Sequence, residues 1–154
     1  MPEEDISRYG AYLQGVRQAS QNTVSSYLRD VTQFSQYLLE RGSTLRQADS
    51  GMVRDYMDWM HRHGKSAASV TRFLASIKSF YGFLLSTGDV SVNPAKGISA
   101  DRAERKYPEI LTAKEVELFL DQPQCVDAKG YRDHAMLELL YATGIRVSEL
   151  IALN

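Results

Sequence analysis

The sequence predicts an all-α protein: a four-helix bundle over residues 1–92, a linker over 93–108, and the first helices of an incomplete second domain over 109–154. Three observations predict it. Apolar residues recur three and four positions apart nearly throughout, with no convincing run of alternating character. Ser, Asp or Thr precedes each periodic stretch and Gly closes most of them. One segment, NPAKGISADRAERKYPEI at 93–110, breaks the pattern with Asn-Pro, Gly and a charged run closing on Pro108.

Ile6, Tyr9, Leu13 and Val16 set a first helix at about 4–17. Ser20 or Asn22 caps a second, in which Val24, Leu28, Val31, Phe34 and Leu38 form one stripe ending at Gly42. Asp49 or Ser50 caps a third, with Val53, Tyr56 or Met57, and Met60 inward, ending near Gly64. Ser66 caps a fourth, with Val70, Phe73, Leu74, Ile77, Phe80, Tyr81 and Leu84 inward, ending near Gly88. The Met and aromatic positions read as core. After the linker, LTAKEVELFLDQP carries a capping box, Thr112 with Glu115. GYRDHAMLELLYATG is another helix, with Met136, Leu139 and Leu140 inward, and RVSELIALN begins a third.

Composition is that of a globular protein, 44% hydrophobic and 24% charged. There is no long apolar run and the N-terminus is acidic, which points away from a membrane span or a targeting leader. The lone Cys125 suits a reducing cytoplasm. Net charge is −1, but it is segregated. Residues 61–106 carry eight Lys and Arg against three acids, while the flanking segments are acidic. Such a basic block, edged by His61 and His63, fits a polyanion partner; a solvated face with a charged linker explains it equally well.

The bundle offers two donor-rich faces. Lys65, Ser69, Arg72, Ser76, Lys78 and Ser79 are expected on the outer side of the fourth helix. Asn22, Thr23, Ser25, Ser26, Arg29, Gln33 and Gln36 avoid the stripe of the second. Arg and Lys contact phosphates, and Asn, Gln and Ser brace them or read base edges. Arg105 and Lys106 in the linker add to this set. Near the end of the chain, Gly144 closes a helix and Arg146 falls in the first turn of the next. A guanidinium there binds two oxygens of one phosphate, and Glu149, three residues on, is placed to hold its fork. A bare RxxE is more often a surface ion pair.

The residues around that pair carry a resemblance. RDHAMLELLYATGIRVSELIALN closely resembles the first catalytic box of the tyrosine recombinases, the phage-integrase family, in its bacterial Xer-like branch. YPEILTAKEVELFLD resembles the start of the catalytic domain in that branch. NTVSSYLRDVTQFSQYLLERG and SAASVTRFLASIKSFYGFLLSTGDVSVNPAKG are similar to the two principal helices of its SAM-like core-binding domain. The resemblance implies a site-specific strand-transfer enzyme that clamps double-stranded DNA and cleaves through a 3′-phosphotyrosyl link without metal or nucleotide. It implies assembly as a tetramer on paired sites. Arg146 would stabilise the scissile phosphate, with Glu149 in support. The family's Lys, His-x-x-Arg and Tyr boxes lie downstream of this box and have no counterpart here, so the chain reads as an N-terminal part that binds DNA without cleaving it. Tyr131 and Tyr141 read as packing residues, and the partial catalytic domain as a surface for self-association. Two other readings stay open: a non-catalytic helical DNA-binding regulator and a protein-interaction module.

Overall fold

The computed structural model describes residues 2–100 and 110–153, and among them there are seven α-helices and no strand. They are α1 (Pro2–Gly15), α2 (Gln21–Leu39), α3 (Ser50–Arg62), α4 (Ala67–Ser86), α5 (Ala113–Leu120), α6 (Ala128–Thr143) and α7 (Val147–Ile151). A 3-10 turn, Leu45–Gln47, precedes α3. No helix among the described residues is long and apolar enough to cross a membrane. The chain divides into two compact units, Met1–Glu104 and Arg105–Asn154.

In the first unit the caps choose between the expected alternatives. Ser20 accepts the Thr23 N–H, and Asp49 accepts the Met52 N–H, so these and not Asn22 or Ser50 start α2 and α3. Ser66 caps α4 as expected. The expected glycine stops also hold, with Gly42, Gly64 and Gly88 all at φ between 71° and 78°. Helix α1 ends two residues earlier than its pattern suggests. Gln18 takes the left-handed conformation (φ 48°) and Ala19 N–H reaches back to Leu13 O, so the turn closes with no glycine to announce it. Val16 is thereby thrown outward, 73% exposed, instead of packing inward.

The core is aromatic. Tyr9, Phe34, Phe73, Phe80 and Tyr81 are all at most 1% exposed, and Tyr56 and Met57 both point inward. Phe73 meets Phe34 edge-on and Tyr56 tilted, and Phe80 meets Tyr9 edge-on. The Tyr81 hydroxyl donates to Leu45 O (2.7 Å), which fixes the 3-10 turn to α4. Within the segment expected as linker, Ala95 and Ile98 are buried against this core, and Asn93 donates from its amide to Lys78 O. Two apolar residues in an irregular segment have no period to reveal them.

Asp5 and Asp30, 2% and 3% exposed, are buried charges that the hydrophobic pattern conceals. Each is compensated by arginine. Asp5 accepts from Arg46 Nε (2.9 Å) and Nη2 (2.7 Å), and Arg8 and Arg46 both also bond Asp89 at 3.0 Å. This four-residue clasp joins α1, the 3-10 turn and the segment after α4.

In the second unit, Thr112 and Glu115 make both bonds of the capping box, which holds the Glu115 carboxyl below its ordinary pKa through the Thr112 backbone N–H first and its hydroxyl second. Gly130 N–H donates to Asp127 at the start of α6 (2.7 Å). His134 bonds Leu120 O through Nδ1 and ties α6 to the end of α5. Leu150 is the one buried residue among those described in this unit. Leu139 (38%), Tyr131 and Tyr141 (63% each) are exposed, where a packing role was expected. Among the described residues this unit has only three helices, too few to cover the apolar sides of each.

Candidate nucleic-acid interface and arginine box

Helices α2 and α4 run antiparallel, since Asp30 meets Arg72 and Ser76 while Lys65 lies with Gln33, Gln36 and Glu40. Ser79 faces Arg17 and Lys78 lies by Asn93, whereas Arg72 and Lys65 of α4 meet Asp30, Gln33 and Gln36 of α2 along one seam. From Asn22 to Gln36 it extends roughly 21 Å at 1.5 Å per residue, about six base-pair steps.

At its α2 end, Asn22 and Arg29 are exposed and Ser26 is half-buried. Thr23 is drawn into the helix start, its hydroxyl 2.9 Å from that of Ser20. Ser69 does the same at the start of α4, 3.0 Å from the Ser66 hydroxyl. These two hydroxyls are thus already engaged in capping. Lys65 is exposed beside a groove of about 220 Å³ lined by Gln33, Gln36, Tyr37, Glu40, Tyr56 and Trp59. Lys78 is half-buried, and Arg17, two residues past the end of α1, donates to Ser79 (3.2 Å). Arg105 and Lys106 lie outside the described residues.

Ser76 corrects the expectation of an outward side chain. It is 0% exposed, and its hydroxyl donates to Asp30 Oδ2 (2.8 Å). Its position shows why: Phe73, Ser76, Phe80 and Phe83 recur at three and four residues, so Ser76 belongs to the apolar arc. Asp30 is buried for the same reason, since Tyr27, Asp30, Phe34 and Tyr37 form one arc of α2. An acid inside an aromatic arc is the signal that could have revealed it. Arg72 closes the group with a two-pronged pair to Asp30, Nε to Oδ2 at 3.1 Å and Nη2 to Oδ1 at 3.0 Å. Its proton is held more tightly than an ordinary guanidinium's by that hydrogen bond to Asp30.

In the second unit Gly144, at φ 66°, ends α6 and sends the chain through Ile145 to Arg146. Arg146 is the extended residue just before α7, with ψ 151°, and not in its first turn. Glu149 bonds it twice. Oε2 accepts the Arg146 backbone N–H (2.8 Å) and Oε1 accepts from Nη1 (3.2 Å). A guanidinium has no acceptor with which to return the capping bond, so the carboxylate supplies this contact alone. The Arg146 side chain is 82% exposed, and its remaining N–H groups face solvent.

Three buried tyrosines of the first unit, Tyr9, Tyr56 and Tyr81, are poorly suited to nucleophilic work at neutral pH. Burial pushes the phenols of Tyr9 and Tyr56 up to about 12, and that of Tyr81 higher still.

An α-helical bundle with a donor-rich seam, followed by a separate unit presenting an acid-braced arginine, defines a two-part class, and known proteins match it in both parts. Residues 6–88 match the phage integrase N-terminal SAM-like domain, residues 109–154 match the phage integrase family, and the chain belongs to that family. It is similar to the tyrosine recombinase XerD of Staphylococcus saprophyticus, 36% identical over 150 residues, covering 97% of this chain and 51% of that protein. The XerD of Shewanella oneidensis is 39% identical over 135 residues, covering 88% of this chain and 45% of that protein. A protein of Caldanaerobacter subterraneus named as a tyrosine recombinase is 37% identical over 154 residues, covering all of this chain and 53% of that protein. The chain thus spans about half the length of the curated relatives it matches.

Proposed function

We propose that this chain is the N-terminal portion of a site-specific tyrosine recombinase. In this reading residues 1–92 form a core-binding domain, 93–108 a linker, and 109–154 the start of the catalytic domain. The bundle holds duplex DNA along the α2–α4 seam, with Asn22, Ser26, Arg29, Lys65 and Arg72 as contacts. Arg146 neutralises the nonbridging oxygens of the phosphate to be cleaved. The whole recombinase cleaves and rejoins strands through a phosphotyrosyl intermediate, assembles as a tetramer on paired sites and works in the cytoplasm.

One observation carries the reading: Arg146, immediately after the Gly144–Ile145 turn, is held by Glu149 at both its backbone and its guanidinium. Phosphoryl transfer depends mostly on positioning and on charge stabilisation at the nonbridging oxygens. An arginine whose base is pinned while most of its fork faces outward supplies that stabilisation with little reorganisation.

Salt dependence of duplex binding tests the first half. Log affinity is expected to fall with log salt by about 0.9 per phosphate contact, and Lys65→Ala with Arg72→Ala to flatten that slope. A slope near zero in the unaltered chain rejects DNA binding. A suicide duplex tests the second half. Residues 1–154 are expected to form no covalent adduct, whereas the full-length recombinase forms one and loses about two to three orders of magnitude in rate on Arg146→Ala. Full activity in that variant rejects the role given to Arg146.

A further inference from the structure

Arg72 is doubly constrained in a way that surface contact residues ordinarily are not. Its Nε and Nη2 are bonded to the two oxygens of Asp30, and Asp30 is itself fixed by the buried Ser76 hydroxyl, 2.8 Å from Oδ2. The carboxylate is 3% exposed while the Arg72 side chain is 46% exposed. So the pair has an inner, anchored edge and an outer, wet one. A guanidinium has five N–H groups, of which this pair uses two. The outer ones, Nη1 included, have no protein partner among the described residues. Ser76 is further held by Arg72 O (3.0 Å), which closes the group on α4.

We propose that Asp30 is a positioning residue for DNA binding, holding the Arg72 guanidinium edge-on so that its outer N–H groups meet a phosphate or base edge at the middle of the α2–α4 seam. The inference rests on the DNA-clamp reading above and adds to it a residue of the wrong charge for contact. A flexible arginine loses rotamer freedom when it binds, and a carboxylate fork at its back removes that loss in advance. The cost is a partly neutralised cation, so the device favours geometry over long-range attraction. Asp30 and the α4 residues Arg72 and Ser76 act as one unit, and Lys65, Arg29 and Gln33 flank it along the seam.

Charge and geometry predict opposite signs for one substitution, which makes the test sharp. Asp30→Asn removes a negative charge, keeps the size of the side chain and leaves an oxygen for Ser76. If Asp30 is only a core ion pair, the variant binds a fluorescein-labelled mixed-sequence duplex as tightly as the parent or more tightly, since one repulsive charge is gone. If it positions Arg72, binding weakens by about tenfold at fixed salt, the loss of one charge-assisted contact, in spite of the gained positive charge. Melting of both chains, followed by circular dichroism, shows that binding is compared between folded proteins. Arg72→Lys serves as the second variant, because it keeps a cation beside Asp30 and needs no buried acid to be left alone. It is expected to retain the salt slope of the parent while binding several-fold more weakly, since an ammonium cannot make the fork. Parent-like binding by either folded variant overturns the proposal. Absence of salt-dependent binding in the unaltered chain instead overturns the DNA-clamp reading on which it stands.

Discussion

Arg46 grips both oxygens of Asp5 across 41 residues of sequence, at 2.9 and 2.7 Å, and the same guanidinium reaches Asp89 at 3.0 Å. One side chain thus fastens the start of α1 to the segment that follows α4. The bond to Asp5 is the main reason its proton is held more tightly than usual.

This clasp gives the bundle an acid-sensitive component. The Asp89 carboxyl is held below its ordinary value of 3.8, first by the Thr87 hydroxyl and then by Arg8. A depressed folded-state pKa contributes stability that is present above the unfolded value and lost as pH falls through the folded one. Asp89→Asn is therefore expected to lower the melting temperature near neutral pH and to converge on the parent as pH falls below the ordinary carboxylate value. Melting curves across that range check it; a constant difference at all pH values contradicts the assignment.

A second expectation concerns the entry to α6. A Cβ at Gly130 would overlap the carbonyl oxygen and carbon of Gln124, both backbone atoms with little room to yield. Alanine would otherwise favour the helix by about 1 kcal/mol. The overlap dominates, and Gly130→Ala is expected to destabilise the second unit by about 1–3 kcal/mol. Hydrogen exchange in α5 and α6 should quicken while α1 to α4 are unchanged.

The second unit also displays apolar side chains in number. Phe119 (53%), Tyr131 (63%), Val147 (59%) and Ile151 (71%) are open to solvent. Surface of this kind binds apolar dyes and drives association. Residues 1–154 are expected to enhance the fluorescence of such a dye and to sediment with a concentration-dependent mass, and Phe119→Ser with Ile151→Ser to reduce both. A strictly monomeric, dye-silent chain would contradict this.

Local signals in the sequence were the readable ones. Ser66, Thr112 with Glu115, and the glycines at 42, 64, 88 and 144 mark helix ends through bonds made within a few residues, so the string itself contains them. The Arg146–Glu149 pair was legible on the same ground. What stayed hidden depends on partners far along the chain. Asp5, Asp30 and Ser76 look like surface residues until Arg46, Arg72 and the neighbouring helices are placed. Ala95 and Ile98 enter the core from an irregular segment with no period, and Gln18 closes α1 where glycine is the usual sign.

The clasp has a consequence for how the chain emerges from the ribosome. Helix α1 is made with Arg8 already 3.4 Å from Asp5, but the two-pronged pair to Asp5 forms only after Arg46 has been synthesised, and Arg8 and Arg46 have no Asp89 until α4 is complete. Seated early against a growing α2, α1 would carry into the interior a carboxylate matched by Arg8 alone, and its full set of ion pairs waits for residues made after it. The first helix to be made is therefore the one whose ion pairs are completed last, when Asp89 follows α4.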